Sequence, residues 1–443
     1  MLSELLAPYY PAVEDRAPLP ALYLPGAFAA VGLGYYLHHR GATSRTARRD
    51  AGVRALVVGC LLARLTLQRP RYAVGAGASP TADYTSVGHT ITQLVAFLDF
   101  TTAPGGPPRF VGRRRLGGAG DREGAAEGGR GDAREGGGEG GRRGAGDRAA
   151  PAASLVWALR LLASPRGVGW DWEVKGVPAH AHAGLSRRRF AARRAAEALL
   201  RLALNALAVC CIGLCDAAAG APLPAPLLDA ARTWCGIAWS FHLIGATHAA
   251  AAAASVLLGA SEPWEWPPVF GPLGEAWCVR RAWSTTYHQL LRRTFQEPGI
   301  RLARGLGLRK GTLGSRYVQL YVAFLLSLAV HWWQAFAVAR RGGDELAFFA
   351  TQPLVITVED GARWAWGRAV PPGRRGPRLR RLERAAGYAW TVAAFTLTAR
   401  PLMRAWVRLG VVGNAGPEER LALRCGRAAA EALRRRGGRS EAR

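Results

Sequence analysis

Acidic residues are scarce in this chain, and lysine is nearly missing. Its 443 residues hold 31 Asp plus Glu against 59 Lys plus Arg, and only two of the latter are lysine. So much Ala, Arg and Gly beside so little lysine reflects a GC-rich coding sequence rather than an activity. The cysteines, Cys60, Cys210, Cys211, Cys215, Cys235, Cys278 and Cys425, are scattered and odd in number. They form neither a disulfide framework nor a metal-binding spacing. Three of them share one apolar block, where cysteine behaves as a small hydrophobe. There is no GxSxG elbow, and no P-loop, helix-opening GxGxxG or HExxH. Hydrolase, nucleotide-fold and zinc-protease chemistry are thereby excluded as first readings. The opening stretch MLSELLAPYYPAVEDR carries acids and no basic run, unlike a cleavable secretory signal. The first apolar block is therefore expected to act as a signal anchor.

What the chain does have is apolar blocks with the charge collected between them. Mean hydropathy is close to zero, +0.01, but that average hides blocks near the roughly 20 residues that a membrane helix needs. They fall at 20–37, 52–67, 87–102, 195–216, 230–260, 316–339, 345–358 and 386–408. The expected fold is all-α, a polytopic integral membrane protein of seven or eight transmembrane helices. The block at 87–102 reads as weak or interfacial and 345–358 as short. The acidic N-terminal flank and the basic HHRGATSRTARR put the N-terminus outside and residues 38–50 in the cytoplasm. Eight crossings would leave the arginine-rich C-terminus outside, so one of those two blocks is expected to be re-entrant or interfacial.

The net charge of +28 could suggest a nucleic-acid binder. The arginines cluster beside apolar blocks instead, as in cytoplasmic loops, where they can also attract an anionic co-substrate or lipid. No nucleic-acid partner is expected. Residues 111–150 are Gly, Arg and Glu repeats with too little apolar content to offset ordering entropy, and are expected to be disordered. This divides the chain into N-terminal membrane helices (1–110), that loop, a core (151–410) and a charged tail (411–443) peripheral to the core.

Two histidines stand out. In CVRRAWSTTYHQLLRRTF (278–295), read as one helix at about 100° per residue, Arg281, Ser284, Thr285, His288 and Arg292 share a face. Val279, Trp283, Thr286, Tyr287 and Leu290 lie opposite. Pattern alone leaves His288 open between the wet face of an interfacial helix and a catalytic role. In RYVQLYVAFLLSLAVHWWQAFAVA (316–339), His331 sits about 22 Å along an apolar run. No Asp, Glu, Lys or Arg within that run competes with it. Ser327, His331 and Gln334 share a face. An ionisable group at such depth is a functional candidate by default, although a neutral histidine satisfied by a neighbouring helix fits the pattern too. A histidine pair suits alcohol acylation, because neutral imidazole can accept a hydroxyl proton near neutral pH. His38, His39, His180, His182, His242 and His248 are weaker candidates at helix ends, in a loop or in the 230–260 block.

The order of these segments resembles the wax-synthase-like branch of the membrane-bound O-acyltransferase superfamily, including fungal enzymes that acetylate terpenoids and other secondary metabolites. RGVGWDWEVKGVP (166–178) is similar to that branch's RGxGWxW segment. EWPPVFGPLGEAWCVRRAWSTTYHQLLRRTF (265–295) resembles its WPPLFG…W-H-Q signature, with Tyr287 where Trp is usual and STT where a basic stretch is usual. YVAFLLSLAVH (321–331) and FFATQPLVITVED (348–360) fit the downstream helix with its buried histidine and the Q…ED stretch. The resemblance implies an MBOAT-like fold in a multi-pass membrane protein, of the endoplasmic reticulum. It implies acyl-CoA, acetyl-CoA in particular, as co-substrate and a lipophilic alcohol as acceptor, with no permanently bound cofactor and no metal. His331 then matches the buried catalytic base and His288 the second catalytic residue. Gln289, Trp283, Arg281, Arg292, Trp170 and Trp172 are the expected substrate-binding residues, with Arg280 and Arg293 near the phosphates of CoA. A wax ester synthase acting on long-chain alcohols is the alternative within the family. A transporter is the alternative outside it, disfavoured because the strong spans have no acids in their middles for coupling.

Overall fold

A computed structural model of the protein describes residues 2–41, 45–74, 79–102, 106–112, 151–178, 180–218 and 224–441. Apart from its first two residues, the Gly/Arg/Glu-rich segment at 111–150 lies outside the described residues. Among the described residues the regular structure is helical, apart from a two-residue parallel pairing of β1 (Ala17–Pro18) with β2 (Tyr72–Ala73) and a single antiparallel bridge between Phe110 and Trp170. A short α1 (Leu2–Leu6) precedes α2 (Tyr23–Gly41), α3 (Arg45–Gln68) and α4 (Pro80–Thr102). Then come α5 (Pro151–Leu162), α6 (Arg187–Ala217) and α7 (Ala225–Leu257). A long connection carries the brief α8 (Val279–Arg281) and α9 (Arg292–Gly305). The chain closes with α10 (Leu313–Ala339), α11 (Asp344–Ala369), α12 (Pro377–Arg408) and α13 (Pro417–Glu441). Each of the eight apolar blocks lies largely within one helix. Three of them, α6, α7 and α10, are long and apolar enough to cross a membrane.

Local chemistry explains the boundaries that matter for the site. The Thr312 hydroxyl accepts from the Ser315 amide at 3.3 Å, so α10 starts capped. It then runs without proline until Arg340 turns left-handed at φ 55°. The Arg340 guanidinium donates to the Pro11 carbonyl at 3.0 Å and the Pro70 carbonyl at 2.7 Å, stitching distant segments to that turn. α6 and α7 pack through small residues, and Ala246, Ala249 and Ala252 are buried. Small side chains let helix backbones approach closely where lipid offers no hydrophobic drive to associate.

The structure adds to three expectations. The block at 87–102 is most of α4, a largely buried helix packed against α3 and α10. Hydropathy misses its first turn because Asp83 is there. That carboxylate is buried and paired, at 2.9 Å each, with Arg16 and Arg69, and it accepts the Val74 amide at 2.8 Å. The block at 345–358 is likewise part of the longer α11, whose polar second half anchors the functional segment described below. The charged tail, finally, is docked rather than peripheral. α13 lies along α6, with Gly426 against the Cys210 carbonyl, an approach that any side chain would block. Its Glu419 is buried and accepts from Trp239 Nε1 at 2.8 Å and from the Gly413 and Ala415 amides.

Candidate active site

The histidine-bearing segment is not the continuous amphipathic helix that its periodicity suggests. Helix holds only over Val279–Arg281 and widens to a π-turn over Ala282–Thr286. Tyr287 is then extended, at φ −70° and ψ 158°, and helix resumes at Arg292. Specific bonds break it. The Tyr287 amide reaches back to the Ala282 carbonyl at 2.7 Å, and the Gly271 amide takes the Thr286 carbonyl at 2.9 Å. Gln289 Nε2 donates to the Trp283 and Tyr287 carbonyls at 2.9 and 2.7 Å. A π-turn inside a helix often marks a functional position. The polar stripe therefore does not exist, and His288 is turned inward.

The Q…ED stretch of α11 explains why this break sits where it does. Glu359 accepts the Val279 and Arg280 amides at 2.6 and 3.2 Å, satisfying amides that the first helical turn leaves free. Asp360 pairs with Arg280 and accepts the Tyr317 hydroxyl at 3.0 Å. Gln352 accepts Trp283 Nε1 at 3.1 Å and donates to Thr398 at 3.0 Å. Pro353, next to it, leaves the Phe349 carbonyl without its helical donor.

His331 lies on α10 against three helices. Its Nδ1 is 2.8 Å from the Tyr84 hydroxyl of α4. Its ring stacks on Phe349 of α11 at 4.4 Å, nearly parallel, and approaches Trp406 of α12 at 6.1 Å. Among the described residues Nε2 has no partner. His288 has no hydrogen-bond partner there either, and its Nδ1 is sealed from solvent. Both residues are largely buried. A continuous run of aromatic contacts joins them. From His288 it passes to Tyr287 (4.5 Å), Trp283 (5.3 Å), Phe348 (6.1 Å) and Phe349 (4.9 Å), and so to His331. Burial, with the Arg166 charge adding to it, pushes the His288 pKa down to about 4, so its ring is neutral at cellular pH.

The remaining expected site residues divide. Trp283 is part of that aromatic run. Gln289 spends its amide on its own turn and accepts from Arg292 at 2.9 Å, so it shapes the His288 turn. Arg292 also donates to the Lys175 and Ser284 carbonyls at 2.7 and 3.0 Å. Arg280, Arg281 and Arg293 are engaged by Asp360, Glu275 and Asp99 respectively. Trp170 offers a substrate no surface. It is fully buried and donates to Ser164 at 3.1 Å. The glycines before it make that turn possible. Gly167 and Gly169 have φ of 63° and 76°, and a Cβ at Gly169 would meet Trp264 at 2.8 Å. Trp172 has an unpartnered Nε1 and, with Arg293, lines a cavity of about 70 Å³ beside Leu290 and Leu291. His248 packs against Arg166 at 3.3 Å, and His180 is bound to the Pro263 carbonyl at 2.7 Å. Periodicity did not single out Tyr84, because it lies outside the block counted as apolar. Its only signal was a tyrosine directly following an acid, Asp83.

A helical membrane protein with two buried, aromatic-lined histidines defines the class. Comparison with known proteins narrows it. Residues 266–351 match the membrane bound O-acyl transferase family, and the match spans the His288 turn and His331. Acetyltransferase ple2 of Rhodocybe pseudopiperita is 33% identical over 56% of this chain and 66% of its own. O-Mevalon transferase macI of Penicillium terrestre is 31% identical over 54% and 59%. Acetyltransferase eriL of Hericium erinaceus is 30% identical over 59% and 68%. The chain thus spans roughly three fifths to two thirds of these relatives. No solved structure matches it. The chain belongs to the membrane bound O-acyl transferase family.

Proposed function

We propose that the protein transfers an acyl group, acetyl in particular, from acyl-CoA to the hydroxyl of a lipophilic alcohol such as a terpenoid or other secondary metabolite. The observation that carries this is His331, whose Nδ1 is tied to Tyr84 while Nε2 has no partner among the described residues. Neutral imidazole bonded through Nδ1–H presents a basic Nε2 lone pair. In this mechanism Nε2 takes the alcohol proton as the oxygen attacks the thioester carbonyl. The tetrahedral intermediate collapses by breaking the C–S bond. The thiolate of CoA leaves and recovers the proton from the imidazolium, so ester and free CoA are formed in balance. His288, neutral and unpartnered, donates to the carbonyl oxygen as it gains charge. Gln289 and Arg292 hold the turn that aims it, and the aromatic run through Trp283 excludes water.

The acetyl assignment draws on relatives named acetyltransferases. The eight helices that carry the apolar blocks are read as the membrane-embedded part of the protein, and the host membrane is that of the endoplasmic reticulum. The test supplies isotope-labelled acetyl-CoA and a panel of lipophilic alcohols to membranes containing the protein. Labelled ester should form, and His331→Ala should reduce it at least about 100-fold, the usual scale for a lost general base. Full activity in that variant would end this mechanism.

A further inference from the structure

Among the described residues, an open cleft of about 440 Å³ lies between the end of α12 and the outer face of α13. Arg420, Arg424 and Arg427 recur at positions i, i+4 and i+7, and so stand on one face of α13. Arg408, from the last turn of α12, also lines the cleft. Two of the four touch acids only loosely, Arg408 to Asp344 at 3.4 Å and Arg427 to Asp216 at 3.6 Å. Arg420 and Arg424 have no acidic partner among the described residues.

This is a held arrangement. Buried Glu419 fixes the start of α13, and the Gly426–Cys210 contact seats the helix on α6. Four like charges facing one hollow repel each other, and an anion in the hollow relieves that repulsion. Arginine forks match phosphate oxygens in bidentate geometry. Val407, Val412 and Leu423 supply an apolar part of the wall, and Asn414 a neutral polar one. The helix beneath, α6, is the most apolar of the candidate spans. A basic hollow with partly apolar walls beside a membrane helix fits a phosphate attached to acyl chains. We propose that this cleft binds the headgroup of an anionic phospholipid, seated between α12 and α13.

The full chain is purified in detergent mixed with phosphatidylcholine plus phosphatidic acid, and retained lipid is measured by native mass spectrometry and by thermal unfolding. Phosphatidic acid should be retained in preference to phosphatidylcholine and should raise the unfolding midpoint. The double variant Arg420→Gln/Arg424→Gln should lose roughly tenfold or more of that preference, the scale of a lost charge-assisted bond. Arg378→Gln/Arg381→Gln, at the far end of α12, should keep it and controls for general loss of charge. Equal retention by the wild type and the first variant would overturn the proposal. So would displacement of the bound anion by free coenzyme A with no phospholipid preference, because the phosphate would then belong to a soluble nucleotide.

Discussion

Replacing Tyr84 by Phe tests the central geometry with a single atom. Tyr84 is buried, and its ring packs on Trp406 at 5.4 Å, a contact that phenylalanine keeps. What disappears is the oxygen 2.8 Å from His331 Nδ1. A neutral hydrogen bond contributes about 1 kcal/mol net, whereas one to a charged group contributes about 1.5–3 kcal/mol. If His331 becomes imidazolium only as the alcohol is deprotonated, the bond strengthens on the way to the transition state by about 1.5 kcal/mol. That alone is about tenfold in rate. Losing the partner that orients a working histidine can raise the total towards 100-fold, by analogy with the groups that orient metal-bound histidines. The expected result for Tyr84→Phe is a kcat about 10- to 100-fold lower with little change in KM for acyl-CoA, measured as labelled ester formed by membranes. The protein should still fold, because only about 1 kcal/mol of stability is at stake. An unchanged kcat would refute a positioning role. A loss as deep as that of His331→Ala would also refute it, because Tyr84 would then be touching substrate.

Other perturbations follow from the same framework. Gly88 lies one turn after Tyr84, and a Cβ there would strike the Gln334 amide, which donates to the Tyr84 carbonyl at 2.8 Å. Gly88→Ala should therefore cost about 1–3 kcal/mol by overpacking and reduce activity; an unshifted unfolding midpoint would show that Gln334 yields freely. Asp99→Asn should cost about 3 kcal/mol, because it leaves Arg293 and Arg301 of the His288-bearing connection without their shared buried acid; retained thermal stability would contradict this. The His288 pKa is lowered to about 4 from an ordinary value of about 6.5. The unfolded chain then takes up the proton first, so this ring supports the fold above about pH 6.5, and that support is lost as pH falls towards 4. His288→Gln should show a shallower loss of stability over that interval than the wild type, and identical slopes would refute it.

Much of the architecture was legible in the residues themselves. Runs such as 316–339 must be helical in an apolar setting, because every backbone donor has to be satisfied within its own segment. The depth of His331 in such a run marked it as a functional candidate. Helical pattern alone left His288 open, and the likeness of 265–295 and 348–360 to a known signature gave it an expected role. The errors arose where a local rule was applied to a segment that distant residues control. Helical periodicity over 278–295 was real, but Glu359 and Gln352 of α11, together with Gly271, pull that segment out of helix at Tyr287. Hydropathy discounted the start of α4 because it cannot register that Asp83 is neutralised by Arg16 and Arg69.

The sequence by itself determined the helical composition of the chain, the basic connections and the two histidines worth testing. Each of these depends on residues close together along the chain. Tertiary structure alone decided which atoms of those histidines are free to act. Tyr84 meets His331 across 247 positions, and Asp99 meets Arg293 across 194. No local spacing encodes such a pairing, because it exists only once α4 is packed against α10 and α9.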